Sequence, residues 1–190
     1  MSLILTAGPL VEPVTLATAR AHLRLDTSDE DDLVIALIAA ARLLLEAQTA
    51  RAFITQSWRW VIDAWPGSRL VLPIAPLQSV TSIGLRDDEG TLTPVDASLY
   101  TVFAGETGEV HLKAGCHWPL PPREAGGIEV AFTAGYGAGA DDVPSPLRQA
   151  MLLLIAHWFE HREPVSFAGS AIGTPLTVDM LTAPYRRVRL

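Results

Sequence analysis

Apolar side chains recur at helical spacing over residues 29–51, and from residue 57 onward their period drops to two. That change of period restricts the chain to an α+β fold. In the first stretch Leu33, Leu37, Ala40, Ala41, Leu44 and Leu45 recur at i, i+3 and i+4, and Val34, Ile35 and Ile38 widen the stripe. A stripe this wide predicts burial on more than one side, by the chain's own core and by another subunit. Leu33, Val34, Leu37, Ile38 and Leu44 are the candidate subunit-interface residues. Ser28-Asp29-Glu30-Asp31 resembles a capping box, and the acids there sit at the positive end of the helix dipole.

After residue 54 the pattern is that of strands. Trp58, Trp60 and Ile62 alternate with Ser57, Arg59 and Asp63, a half-buried strand. Pro66-Gly67 predicts a turn, with 69–72 as the return strand. Further strands are expected at 80–85, 99–103, 109–112 and 128–133. Their short connections imply an antiparallel sheet rather than βαβ units. Residues 116–127, rich in proline and glycine, read as loop. Before the long helix, 1–14 read as extended, and Thr15 caps a short helix ending near 25. A last helix over 146–162 follows Pro144-Ser145-Pro146, with Ser145 as N-cap. Its core face is Leu147, Ala150, Met151, Leu154, Ile155 and Trp158. Residues 164–190 have no helical period. The expected organisation is one α+β domain over 1–163, with a β-rich insertion at about 54–134, and an extended C-terminal tail over 164–190.

Composition excludes several classes. The chain has 190 residues, 49% of them hydrophobic and 18% charged, which is a core-forming chain and not a disordered one. Its net charge of −7 argues against a general nucleic-acid binder, and the tail runs against this balance, with Arg186, Arg187 and Arg189 against Asp179. The single cysteine, Cys116, rules out an intrachain disulfide and suits a reducing compartment. Residues 1–10 lack a basic region and contain Gly8-Pro9, so they do not read as a signal peptide. The apolar runs at 33–41 and 150–156 fall short of the ~20 residues a membrane span needs. A soluble, cytoplasmic protein is expected, with no membrane partner.

The chemistry-bearing motifs resolve to structural readings. His157-Trp158-Phe159-Glu160-His161 matches H-x-x-E-H, which would suit a metal-dependent hydrolase, but a third ligand is wanting downstream. Gly135-Tyr136-Gly137-Ala138-Gly139 follows a strand and precedes a helix. It departs from phosphate-binding patterns, and Asp141 and Asp142 would repel phosphate. Cys116-His117 with His111 lacks an orienting partner. Asp87, Asp88 and Glu89 lack calcium-loop spacing and read as a solvated turn. The tryptophans are core or interface residues. No catalytic, cofactor-binding or metal-binding residues emerge. The features that remain, an apolar long helix and a basic tail, point to assembly.

In this light the chain resembles the head–tail connector, or adaptor, proteins of long-tailed phages, prophages and gene transfer agents. The resemblance spans about 14–187. It runs through Val14-Thr15-Leu16-Ala17, Ala21-His22-Leu23-Arg24, Asp31-Asp32-Leu33, Ile54-Thr55-Gln56-Ser57-Trp58, Leu72-Pro73 and Pro76-Leu77-Gln78-Ser79-Val80. Its strongest stretch is Phe132-Thr133-Ala134-Gly135-Tyr136-Gly137 leading into Val143-Pro144-Ser145-Pro146-Leu147-Arg148-Gln149-Ala150, then His157 to Glu163, with Leu181 and Pro184-Tyr185-Arg186 at the close. The resemblance implies a structural virion protein without enzymatic activity or cofactor. It would form a ring, expected to be dodecameric, beneath the portal protein, prolong the DNA channel without sequence-specific binding, and carry the stopper or tail-completion protein. It implies assembly in the bacterial cytoplasm and then residence at the head–tail junction of the particle. Leu181, Tyr185, Arg186, Arg187, Arg189 and Leu190 are the candidate portal-binding residues, and Asp87, Asp88 and Glu89 the candidate channel-facing ones. The competing readings are a tail-completion or other ring protein of the same particle, or the hydrolase built on His157, Glu160 and His161.

Overall fold

A computed structural model describes residues 1–161 and 175–187. The chain divides into two compact units. One comprises Met1–Pro9 and Thr55–Tyr136 and holds the strands. The other comprises Leu10–Ile54 and Gly137–Leu190 and holds the helices.

The helical unit contains α1 (Leu16–Leu23), α2 (Asp31–Thr49), α3 (Ser145–Glu160) and α4 (Leu176–Thr182). The Thr15 hydroxyl accepts the Thr18 N–H at 3.1 Å, satisfying one of the free donors at the start of α1. The capping box expected at Ser28 does not form. α2 begins at Asp31, whose N–H donates to the Ser28 carbonyl, so Ser28 opens a preceding turn. Asp31 and Asp32 occupy the first turn of α2, where their charge meets the helix dipole. Val34, Ile38, Ala41 and Leu45 form its buried stripe, and α3 answers with Leu147, Ala150, Met151, Leu154 and Ile155. α3 packs against α1, α2 and α4. Its N-cap is Pro144, which puts Ser145 at the first helical position and Pro146 at the second, one place later than expected.

The expectation of an extended tail without helix is corrected over 176–185. α4 buries Val178 and Thr182, and a 3-10 turn at Ala183–Tyr185 continues it. A helix this short carries little periodic signal, and its contact with α3 stabilises it.

The β unit holds two antiparallel sheets. The larger, in order β1-β2-β8-β4-β5, comprises β1 (Ser2–Ala7), β2 (Gln56–Ile62), β8 (Ile128–Ala134), β4 (Leu77–Arg86) and β5 (Leu92–Pro94). The smaller, in order β3-β7-β6, comprises β3 (Arg69–Val71), β7 (Glu109–Leu112) and β6 (Tyr100–Phe103). β8 is the central strand, with Trp58 of β2 and Val80 of β4 on either side of Phe132. The expected pairing of 69–72 with 57–63 is corrected, because both edges of β2 are taken by β1 and β8. β3 pairs instead with β7, matching Leu70 to Val110. Gly84 is required where β4 meets β5: a Cβ there would lie 2.8 Å from the Leu92 side chain.

Candidate assembly surfaces

The motifs that could carry catalysis are occupied structurally. The glycine loop after β8 holds an anion of its own. The Gly139 N–H donates to Asp142 Oδ2 at 2.9 Å, and a Cβ on Gly137 would collide with that carboxylate at 2.2 Å. A side-chain carboxylate thus fills the place a phosphate would need. The His157 and His161 rings lie 4.8 Å apart, and His161 Nδ1 is 3.0 Å from the His157 carbonyl. Among the described residues no group of three His, Cys, Asp or Glu side chains converges to hold a metal.

The expected interface residues of α2 divide between inside and outside. Val34 and Ile38 belong to the core of the helical unit, while Leu33, Leu37 and Leu44 are half-buried. The large apolar residues of α2 that face outward are Ile35 and Leu43, 51% and 57% exposed. They lie eight residues apart on one helix face, with Ala39 between them. Ile35 was expected only to widen the stripe and Leu43 was not singled out, because a stripe apolar on most sides does not reveal which part the core takes.

At the C-terminal end, Tyr185 and Arg186 are held within the helical unit. Arg51 donates from Nε to the Tyr185 carbonyl at 2.7 Å, and its guanidinium lies 5.8 Å from the ring centre. Arg186 pairs with Asp179 at 2.6 Å. Leu181 and Arg187 are half-buried, and Arg189 and Leu190 lie outside the described residues. The outward face of α4 presents Leu176 and Met180, 74% and 67% exposed and one turn apart. This is an apolar patch that residue type alone did not single out.

In the β unit, Asp87 closes the β4–β5 turn. Its carboxylate accepts the Thr91 N–H at 2.7 Å, and its backbone exchanges bonds with Thr91 and Gly90. Asp88 and Glu89 are exposed at the tip. Trp65 and Trp118 stack with centroids 4.3 Å apart and planes 9° from parallel. Each indole donates across to the other loop, Trp65 to the Pro119 carbonyl and Trp118 to that of Gly67, both at 2.9 Å. This clasp fixes the proline-rich loop, from which Leu120 projects.

A charge cluster ties the small sheet together. Glu109 accepts hydrogen bonds from Arg69 and lies 2.6 Å from His111 Nε2. The bond from Arg69 and then that from His111 push its carboxyl down to about 2. A depressed carboxyl stabilises the fold above its ordinary value of 4.5, and that contribution falls away as pH drops toward 2. Glu109→Gln is therefore expected to flatten the acid limb of a stability–pH curve between those values while changing its slope little above pH 5. Equilibrium unfolding across pH 2–6 checks this.

These surfaces and this topology have known counterparts. A family model described as "Head completion protein" matches residues 13–178. The chain belongs to the head completion protein family. Solved structures agree over the full length. A chain from the neck of an empty gene transfer agent particle, computed with C6 symmetry, is 32% identical with a TM-score of 0.86. A chain from the virion of a native gene transfer agent particle is 32% identical with a TM-score of 0.84. A chain from the neck of a native particle, computed with C12 symmetry, is 31% identical with a TM-score of 0.83. Each alignment covers 100% of this chain and 97% of the other. No curated protein sequence matches the chain. The expected head–tail connector class and its α+β fold are borne out by these matches.

Proposed function

We propose that this head completion protein acts by assembly and not by catalysis, as a ring beneath the portal that prolongs the DNA channel and seats the stopper or tail-completion protein. The full-length likeness to a neck protein, at 32% identity, carries the reading. The symmetry of the matched native neck favours twelve copies. The net charge of −7 suits a conduit, because a wall that binds phosphate would stall DNA. Asp88 and Glu89, at the exposed tip of the β4–β5 turn, are the channel-facing candidates, with Asp87 closing the turn behind them. Assembly in the bacterial cytoplasm precedes residence in the particle. Among the described residues no helix is long and apolar enough to cross a membrane.

The C-terminal segment is the portal anchor in this reading. Leu181, Tyr185, Arg186, Arg187, Arg189 and Leu190 are joined there by Leu176 and Met180. Exposed apolar residues beside tyrosine and arginine have the composition of interface hot spots. The test mixes the full chain with the portal protein of the same particle, read by electron microscopy and native mass spectrometry. A disc of added density is expected under the portal. Leu176→Asp with Met180→Asp is expected to weaken binding at least tenfold without lowering thermal stability, since both residues are exposed. Unchanged binding in the double variant would move the anchor away from α4. No binding by the unaltered chain would overturn the connector role.

A further inference from the structure

Two strand edges of the β unit, each without a neighbouring strand among the described residues, have the chemistry to meet in neighbouring copies. β1 is the first. All six of its residues are exposed, Leu3, Ile4 and Leu5 among them, and the strand has neither charge nor proline. One edge is zipped to β2 from Ser2–Val61 to Ala7–Ser57, and the other has no strand beside it among the described residues. Edge strands are ordinarily blunted by charge, proline, a bulge that turns the edge away, or cover. The irregularity in β1 between Leu5 and Ala7 lies at its far end and leaves residues 2–5 regular.

β6 is the second. Tyr-Thr-Val-Phe ends the small sheet, again without charge or proline, and exposes Thr101 and Phe103. The other two terminal strands are unlike these: β5 has three residues including Pro94, and β3 has three including Arg69. The two uncharged edges also belong to different sheets. β1 ends the large sheet on the side away from β4. The small sheet is tied to β4 by reciprocal Leu77–Gly105 backbone bonds of 2.8 Å.

A cyclic ring requires two different, complementary patches on each subunit. We propose that β1 of one copy pairs with β6 of the next, a strand-addition contact between second copies of this chain that closes the ring. The pairing supplies backbone hydrogen bonds to both edges and puts Ile4 on the same face as Thr101 and Phe103. It rests on the ring reading above.

The test uses the full chain assembled on the portal, in a Cys116→Ser background. Cysteine is placed at Leu3, Ile4 or Leu5 on one edge, paired with cysteine at Thr101 or Phe103 on the other. Mild oxidation of the rings is expected to give a reductant-sensitive ladder of multimers for at least one pair, and none beyond dimers for the single-cysteine chains. In the otherwise native chain, Ile4→Lys and Thr101→Lys together are expected to cut the ring fraction at least tenfold with an unchanged melting temperature. Ile4→Glu with Thr101→Lys is expected to restore it. Rings that form normally yet yield no ladder from any pair, or that tolerate both lysines, would overturn the pairing and leave the connector role standing. Failure of the unaltered chain to form rings would overturn both.

Discussion

Phe132→Ala is expected to destabilise the β unit by about 3–5 kcal/mol, the range for removing a buried aromatic ring from a packed core. Phe132 is 1% exposed on the central strand, flanked by Trp58 and Val80. Paired strands on both sides fix the backbone there, so the sheet cannot collapse into the space a ring leaves. Trp60 and Val130 form the next pair along the same face and would lose packing with it. Urea unfolding followed by tryptophan fluorescence checks the value. Phe132→Leu, which keeps most of the volume, is expected to cost far less. A loss below about 1 kcal/mol for the alanine variant would mean that this face relaxes around the site.

Arg42→Met is expected to cost about 3 kcal/mol by a different route, since breaking a buried ion pair strands its partners. Arg42 is 8% exposed and reaches two acids. Nε and Nη2 donate to Glu12 at 2.8 and 3.2 Å, and Nη1 donates to Glu46 at 3.0 Å. Burial alone would lower its pKa. The bond to Glu12 and the charges of Glu46 and Glu12 outweigh burial and hold it above the ordinary value. Glu46 also accepts the Phe53 N–H at 2.7 Å, so its carboxylate fastens the segment leaving α2. Without Arg42 that carboxylate loses the Nη1 bond and the positive charge that faced it. Adding Glu46→Gln to Arg42→Met is expected to recover part of the loss, because the amide oxygen still accepts from Phe53 and one of the two carboxylates that faced Arg42 is then neutral. Chemical denaturation of the two single variants and the double reads the coupling. If the double variant loses as much as the sum of the singles, the ion pair contributes nothing beyond its separate parts.

The arginine pair and the phenylalanine show what was legible and what was not. Helical period located α2 and α3 to within a few residues, since a face that must be buried imposes its spacing on the residues that bury it. Alternation located β2, β7 and β8 in the same way. The assembly class was legible too, from the order and spacing of short motifs such as Phe132 to Gly137 and Pro144 to Arg148. The candidate contact residues were less so. Val34 and Ile38 have the same apolar character as Ile35 and Leu43, and only the packing of α2 on α3 separates the core pair from the exposed one.

What the amino-acid sequence determined by itself is therefore local: where the chain coils, where it extends, which stretches turn, and which class of protein repeats that order. Tertiary structure decided everything that depends on a distant partner. It placed β3 beside β7 instead of β2, made a helix of residues 176–182 by packing α4 on α3 with Val178 buried, joined Arg42 to an acid thirty residues away, and left β1 and β6 with no strand on their outer edges among the described residues. The physical reason is that periodicity records that a face is buried but not what covers it. Three-residue strands and a seven-residue helix draw most of their stability from contacts, which leave almost no trace in local sequence.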